Sequence, residues 1–369
     1  MLKRIHVHNY RTLVHFEWSL PSSCVLVGDN GAGKSALFEA LWIARDVIVH
    51  GKRIDELGFP ATRTAWLDEP SQVIALELEH DGEHFEYQLE ARLELSDPHD
   101  RSRCSIIEQL SSAGDLLYEA IGGAVKLHGG QSSATIPFDR RRSFLAAIEP
   151  GPGNRKLVAF RDAIASMWMF KPDPLRIGGV ASRETTWIER DLGNFANWYR
   201  TKVQEDFAAA TRLREDLIQV LPGFYQLRLE SISAETRDLR IRFDFGGKTH
   251  EVSWDGLSEG QRLLIALYGV LRFALEHASL IGLDEIENYV APAEIQPWLR
   301  AVVDAALEGD RQLLVISHHP ESIDYLAADA AWRMWRDPAT GCSRIAKLEP
   351  DLDAGETAYD LAKQRVDDE

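Results

Sequence analysis

The sequence predicts an α/β fold: a mixed sheet that becomes parallel, with a mainly helical insertion. Three observations predict it. The apolar run Cys24–Val27 ends in a glycine-rich loop that opens a helix-patterned stretch. From 259 to 317 helix-spaced and continuously apolar segments alternate, the β–α–β–α–β signature of a parallel sheet. Between them, about 140–221 is aromatic-rich and mostly helical in spacing.

Each element follows from its pattern. Residues 3–27 read as two strands, with Ile5 and Val7 alternating with histidines, then Phe16 and Trp18, then the buried run 24–27. Ala36, Leu37, Ala40, Leu41 and Ala44 put one apolar stripe on a helix over 34–48. Over 72–95, Ile74, Leu76 and Leu78, then Phe85, Tyr87, Leu89, Ala91 and Leu93, alternate either side of Asp81-Gly82, a hairpin signal. A second hairpin is expected over 105–120 around Ala113-Gly114-Asp115. The helical stretch is broken at Gly151-Pro152-Gly153 and Pro172-Asp173-Pro174. Over 195–221, Phe195, Trp198, Tyr199, Val203 and Phe207 fall on one helical face. Strands return over 226–254, followed by a helix at 259–277, a strand at 279–284, a helix at 293–308 and a strand at 312–317. The chain therefore divides into 1–95, an inserted hairpin and helical part 96–225, and 226–369 with an acidic tail. No heptad is sustained, which argues against a long coiled coil.

Composition bounds the function. The 369 residues are 45% hydrophobic and 27% charged, which excludes wholesale disorder and a fibre. No apolar run reaches the roughly 18–20 residues of a membrane span, and Met1–His8 lacks the apolar core of a secretory signal. Three cysteines (Cys24, Cys104, Cys342) with no close pair argue against structural zinc and fit a reducing, cytoplasmic setting. Against 41 Lys and Arg stand 58 Asp and Glu, leaving −17. Such a chain repels polyphosphate as a whole, so any nucleic-acid contact needs a local basic patch or a more basic partner.

Four segments carry chemistry. Gly28-Asp-Asn-Gly-Ala-Gly33-Lys34-Ser35 matches G-x-x-x-x-G-K-S, with a strand before and a helix after. Glycines let successive N–H groups turn toward phosphate oxygens, and the helix N-terminus adds positive potential. Asn30, Gly31, Ala32, Gly33, Lys34 and Ser35 are the candidate nucleotide-binding residues, with Ser35 a ligand for Mg²⁺. Leu257-Ser-Glu-Gly-Gln-Arg262 is by itself a capping box, Ser258 at the N-cap and Gln261 three residues on. Leu280-Ile-Gly-Leu283-Asp284-Glu285 is an apolar strand ending in two carboxylates. Asp284 suits a Mg²⁺ ligand and Glu285 a base that orients water. Leu313–Ile316 delivers Ser317-His318-His319 to a strand's C-terminal end, where ligands sit in parallel sheets.

In this order the four segments resemble the ATP-binding-cassette ATPases. The opening Ile5-x-Val7-x-Asn9-Tyr10-Arg11 with Phe16, the Asn30-Gly31-x-Gly33-Lys34-Ser35 core and Asp284-Glu285-Ile-Glu287-Asn288 resemble their SMC, RecF and overcoming-lysogenization-defect branch. The resemblance implies ATP and Mg²⁺ sandwiched in a homodimer or higher oligomer. Glu285 and the switch His318 would be catalytic, Arg11 would approach the nucleotide, and Ser258 with Gly260 would reach the γ-phosphate held by the other copy. It also implies DNA repair or anti-phage defence with a separate effector, a nuclease or a toxin. An alternative is a nucleotide-gated scaffold of a defence or toxin–antitoxin complex with little turnover and no DNA contact. A transporter ATPase fits less well, because Asp-Glu-Ile-Glu-Asn and the first strands differ from transporter domains. Tyr289-Val-Ala-Pro292 departs from the branch's usual continuation. No glutamine is assignable to the Q-loop, for which Gln72 and Gln131 are weak candidates. Only 16 residues follow Asp353, too few for that branch's Toprim nuclease domain. Arg101, Arg103 and Arg140–Arg142 are candidate contacts for DNA phosphates.

Overall fold

The computed structural model describes residues 1–93, 104–128, 135–318 and 331–348. It forms two compact units, Met1–Trp168 with Gln312–Glu369, and Met169–Arg311. The Asp351–Asp353 tail lies outside the described residues.

The first unit begins with three strands where the sequence suggested two: β1 (Leu2–His8), β2 (Phe16–Ser19) and β3 (Ser23–Val27). The extra reversal comes from a tight turn in which Tyr10 and Leu13 exchange backbone hydrogen bonds of 3.1 and 2.7 Å, with Asn9 and Arg11 left-handed. This folds β2 antiparallel onto β1, Ile5 opposite Trp18. After helix α1 (Lys34–Ile48), the β4 (Ser71–His80) and β5 (Glu83–Leu93) hairpin closes at Asp81-Gly82. Both turn residues have positive φ, as a two-residue hairpin loop requires. The second expected hairpin is β6 (Cys104–Ser112) and β7 (Asp115–Ile121), turning at Ala113-Gly114. With β8 (Ala124–Leu127) and β9 (Thr135–Pro137) these complete one eight-stranded antiparallel sheet, ordered β2-β1-β4-β5-β6-β7-β8-β9. Strands β6–β9 thus continue the sheet that begins at β1. Helix α2 (Arg155–Ala165) buries Phe160 against Phe85 and Tyr87 of β5, ring centroids 5.7 and 5.1 Å apart. Each such buried side chain stabilises by about 1.5–3 kcal/mol.

The second unit is entered on β10 (Met167–Phe170). The stretch expected to be helical then runs irregularly from 171 to 194, apart from the two-residue β11 (Val180–Ala181). Its backbone is satisfied by Lys171 N–H to Arg190 O (2.9 Å), Asp173 N–H to Asp191 O (3.0 Å) and the Trp254 indole to Ile177 O (2.6 Å). Helices α3 (Phe195–Glu205) and α4 (Phe207–Val220) follow. The single face predicted over 195–221 does not persist. Asp206 leaves helical geometry and caps α4 by accepting from Ala209 N–H, so Phe207 sits in a new first turn, 79% exposed. Phe195, Trp198 and Tyr199 do form a core with Trp254 and Phe273. Gly269 is where Phe195 presses on the helix, since a Cβ there would lie 2.7 Å from the ring. Strands β12 (Phe224–Ser231), β13 (Arg237–Phe245) and β14 (Lys248–Ser253) form a small antiparallel sheet with β11. Helix α5 (Glu259–Phe273), strand β15 (Leu280–Asp284) and helix α6 (Pro292–Glu308) complete the unit, with β15 beside β10.

The chain then returns to the first unit through β16 (Gln312–Ile316), parallel to β3 with Val315 opposite Val25. On β3's other side lies β17 (Ala331–Arg336), also parallel, and β18 (Ser343–Leu348) closes that edge antiparallel. The buried Gln312 amide ties this return to β1, accepting from Leu2 N–H at 2.6 Å and donating to Leu2 O at 2.7 Å.

Candidate functional site

In the first unit the glycine-rich loop runs from β3 to α1. Gly28 has φ +141°, and a Cβ would lie 1.9 Å from the Met334 carbonyl oxygen of β17. Gly33 has φ +103°, and its missing Cβ leaves room for Ser343 Oγ and Thr12 Oγ1, themselves 2.7 Å apart. Asn30 and Gly31 are exposed, Ala32 is buried, and Gly33 and Ser35 are half-buried. Lys34 is 5% exposed and curls back so that its ammonium donates to Gly28 O (2.6 Å) and Asp29 O (3.0 Å). An ammonium gathered inside a loop that opens a helix N-terminus has the chemistry to attract a phosphate chain.

Arg11 sits on the left-handed turn after β1 and forks onto Glu39 of α1, Nε to Oε2 at 2.7 Å and Nη2 to Oε1 at 3.1 Å. Gln72 supports that turn. Its amide donates to Asn9 O (2.9 Å) and shares a hydrogen bond with Thr62 Oγ1. Asn9 in turn donates to Glu69 O and Ser71 O and accepts from Thr64 N–H. Gln72 is therefore a buried brace, and Gln131 lies outside the described residues. His318 is exposed at the end of β16, beside the buried Ser317, while His319 lies outside the described residues. The basic run is partly neutralised: Arg141 pairs with Asp139 (3.4 Å) and Asp55 (3.6 Å), and Arg142 with Asp139 (3.7 Å). Arg101 and Arg103 lie outside the described residues.

In the second unit Asp284 ends β15 with its side chain fully buried. Lys171 Nζ donates to its Oδ2 at 3.0 Å, and an Arg190 Nη2 lies 3.7 Å from the same oxygen. Glu285 follows in left-handed geometry, φ +51° and ψ +45°, which costs about 1–2 kcal/mol for a residue with a side chain. The half-buried Glu285 accepts from Asn288 Nδ2 at 3.2 Å. Ser258 is the N-cap of α5: its hydroxyl accepts from Gln261 N–H (3.2 Å), and the Gln261 side chain accepts from Ser258 N–H (3.0 Å). The capping box is formed, and Ser258 remains exposed. Gly260 passes close to the Tyr289 carbonyl, 3.0 Å from where a Cβ would stand.

Lys171 and Arg190 were not legible beforehand. They belong to no motif, and their only local signal was the break at Pro172-Asp173-Pro174. The donor chemistry fits magnesium. That ion takes one or two carboxylates together with waters and phosphate oxygens. The buried Asp284 carboxylate, already matched to cations, and the Ser35 hydroxyl are donors of that kind. Among the described residues no cluster of three or more His, Cys, Asp or Glu could hold a metal by itself.

Residues 176–324 match the family model described as "AAA domain, putative AbiEii toxin, Type IV TA system". Among solved structures, the SMC head bound to the C-winged helix domain of ScpA superposes with a TM-score of 0.55 at 14% identity, over 96% of this chain and 99% of that one. The fold is that of an SMC head. A second such head, with an extended coiled coil and bound to the C-terminal domain of ScpA from Pyrococcus furiosus, gives 0.53 at 13% identity, over 96% and 97%. No curated protein matches the sequence. The chain thus has the mixed α/β P-loop fold of SMC heads.

Proposed function

We propose that this chain is an ATPase that works as a conformational switch, binding MgATP and pairing with a second copy around it. The observation that carries this is the loop 28–35, where the glycine backbone and the folded-back Lys34 ammonium form an anion cradle at the start of α1. Lys34 neutralises the β- and γ-phosphates and the α1 N–H groups hold their oxygens. Ser35 and Asp284 hold Mg²⁺, which supplies charge neutralisation of the phosphates. Glu285 accepts a proton from the attacking water, and His318 contacts the terminal phosphate. Ser258 and Gly260 serve the nucleotide of the partner copy, a role that the exposure of Ser258 supports. Arg11 first has to leave Glu39 if it contacts nucleotide.

Glu285→Gln is expected to keep ATP binding, slow hydrolysis about 100-fold or more, and accumulate a dimer on size exclusion. Lys34→Ala is expected to lose ATP binding in calorimetry. Hydrolysis by Glu285→Gln at the wild-type rate removes the assigned base.

The process served is DNA repair or anti-phage defence, through a separate nuclease or toxin. One observation favours the second reading, a nucleotide-gated scaffold with little turnover. The family matched over 176–324 is described by a toxin of a toxin–antitoxin system, and the pairing of Arg141 and Arg142 with aspartates weakens a DNA face there. Slow hydrolysis that is indifferent to DNA but altered by a co-purified protein selects the scaffold.

A further inference from the structure

Asp284 holds two cations that no motif assigns. Lys171 lies 3.0 Å from Oδ2, Arg190 lies 3.7 Å from the same oxygen, and the carboxylate is fully buried. One negative charge, itself fully buried, thus faces two positive ones. Their backbones are joined as well: Lys171 N–H donates to Arg190 O, and Asp173 N–H to Asp191 O, so the two cations stand at one end of a short paired segment. The strand β10 that delivers Lys171 runs beside β15, which delivers Asp284. Lys171 differs from Arg190 in freedom. Its side chain is 41% exposed on a flexible four-carbon stem, whereas that of Arg190 is 19% exposed. An ammonium is a strongly hydrated point charge that exchanges partners readily.

We propose that Lys171 is the resident counter-ion of Asp284, displaced when magnesium arrives with the nucleotide, and that its release loosens the 171–173/190–191 pairing. This rests on Asp284 being the magnesium carboxylate. A hard dication and an ammonium compete for one carboxylate oxygen, and the repulsion between them grows once both are near it. Arg190, less exposed and forked, stays as the fixed cation beside Asp284. The exchange gives the chain a sensor for metal-loaded nucleotide.

The test titrates Mg²⁺ against binding of a fluorescent ATP analogue by wild type, Lys171→Met and Lys171→Arg. Lys171→Met removes the competitor while keeping the stem. It is expected to lower the Mg²⁺ concentration for half-maximal tightening about 5- to 50-fold, with metal-free analogue affinity unchanged. Lys171→Arg is expected to stay near wild type. Hydrogen exchange gives a second readout that needs no variant: amides of 171–173 and 190–193 in wild type exchange faster with MgATP than with ATP in EDTA. An unchanged or raised Mg²⁺ midpoint in Lys171→Met overturns the proposal, as does exchange in 171–193 that ignores magnesium. Failure of wild type to bind the analogue at all would instead remove the nucleotide reading beneath it.

Discussion

Gly28 and Ser258 show two ways in which a single residue constrains its surroundings. At Gly28 the constraint is steric and conformational together: φ is +141°, and the carbonyl oxygen of Met334 occupies the place of a Cβ. Gly28→Ala is therefore expected to destabilise by about 2–4 kcal/mol, from strain plus displacement of β17, and to weaken ATP binding in parallel; urea denaturation and calorimetry measure the two. Gly31 shares the positive φ but has open space around it, so the same change there leaves β17 undisturbed. Lys34, Ser35, Asp284 and Glu285 were readable as candidates because G-x-x-x-x-G-K-S and an apolar strand ending in Asp-Glu are local patterns. The turn brace made by Gln72, and the Lys171 cation on Asp284, join residues 63 and 113 positions apart, and no local pattern encodes such pairs.

Among the elements, α5 separates a structural role from a functional one. Ser258 caps the helix, and its exposed position suits a phosphate contact across a dimer. Ser258→Ala loses the cap, at about 1 kcal/mol, and with it the proposed contact. Ser258→Asp keeps a good N-cap but sets a carboxylate where a phosphate should come. Its thermal unfolding is expected to match wild type while ATP-dependent dimerisation on size exclusion is lost; a wild-type dimer from Ser258→Asp would leave the residue a cap only. Hairpins were legible at this scale because Asp81-Gly82 and Ala113-Gly114 dictate the turn. Strands β17 and β18 were not foreseen, and β17 contributes to the site by crowding Gly28. The long face expected over 195–221 failed at Asp206, where an aspartate that caps α4 ends the periodicity.

The whole molecule carries a pH response. His50 accepts or shares a hydrogen bond with Arg45 Nη1 at 3.1 Å. Burial, with the Arg45 charge adding to it, pushes the imidazole from 6.5 down to about 4. Burial also lowers His6. A depressed pKa means that the folded state keeps these rings neutral while the unfolded chain takes up protons. Their stabilisation is complete above the unfolded value of 6.5 and is lost as pH falls below it, for His50 toward about 4. The melting temperature of the protein should fall across that window, and His50→Asn should flatten part of the fall; parallel curves for the two proteins would show that His50 does not report it.

From the sequence alone came the α/β class, the order of the chemical motifs and most of the strands and helices around them. These are local properties, set by side-chain period, by glycine and by turn residues. Only the tertiary structure decided the rest. It extended the first sheet through β6–β9, placed β17 against Gly28 of the glycine-rich loop, and gave Asp284 the two cations Lys171 and Arg190. Those outcomes depend on which distant segments share a buried surface, and burial is what gives a paired charge its energetic weight.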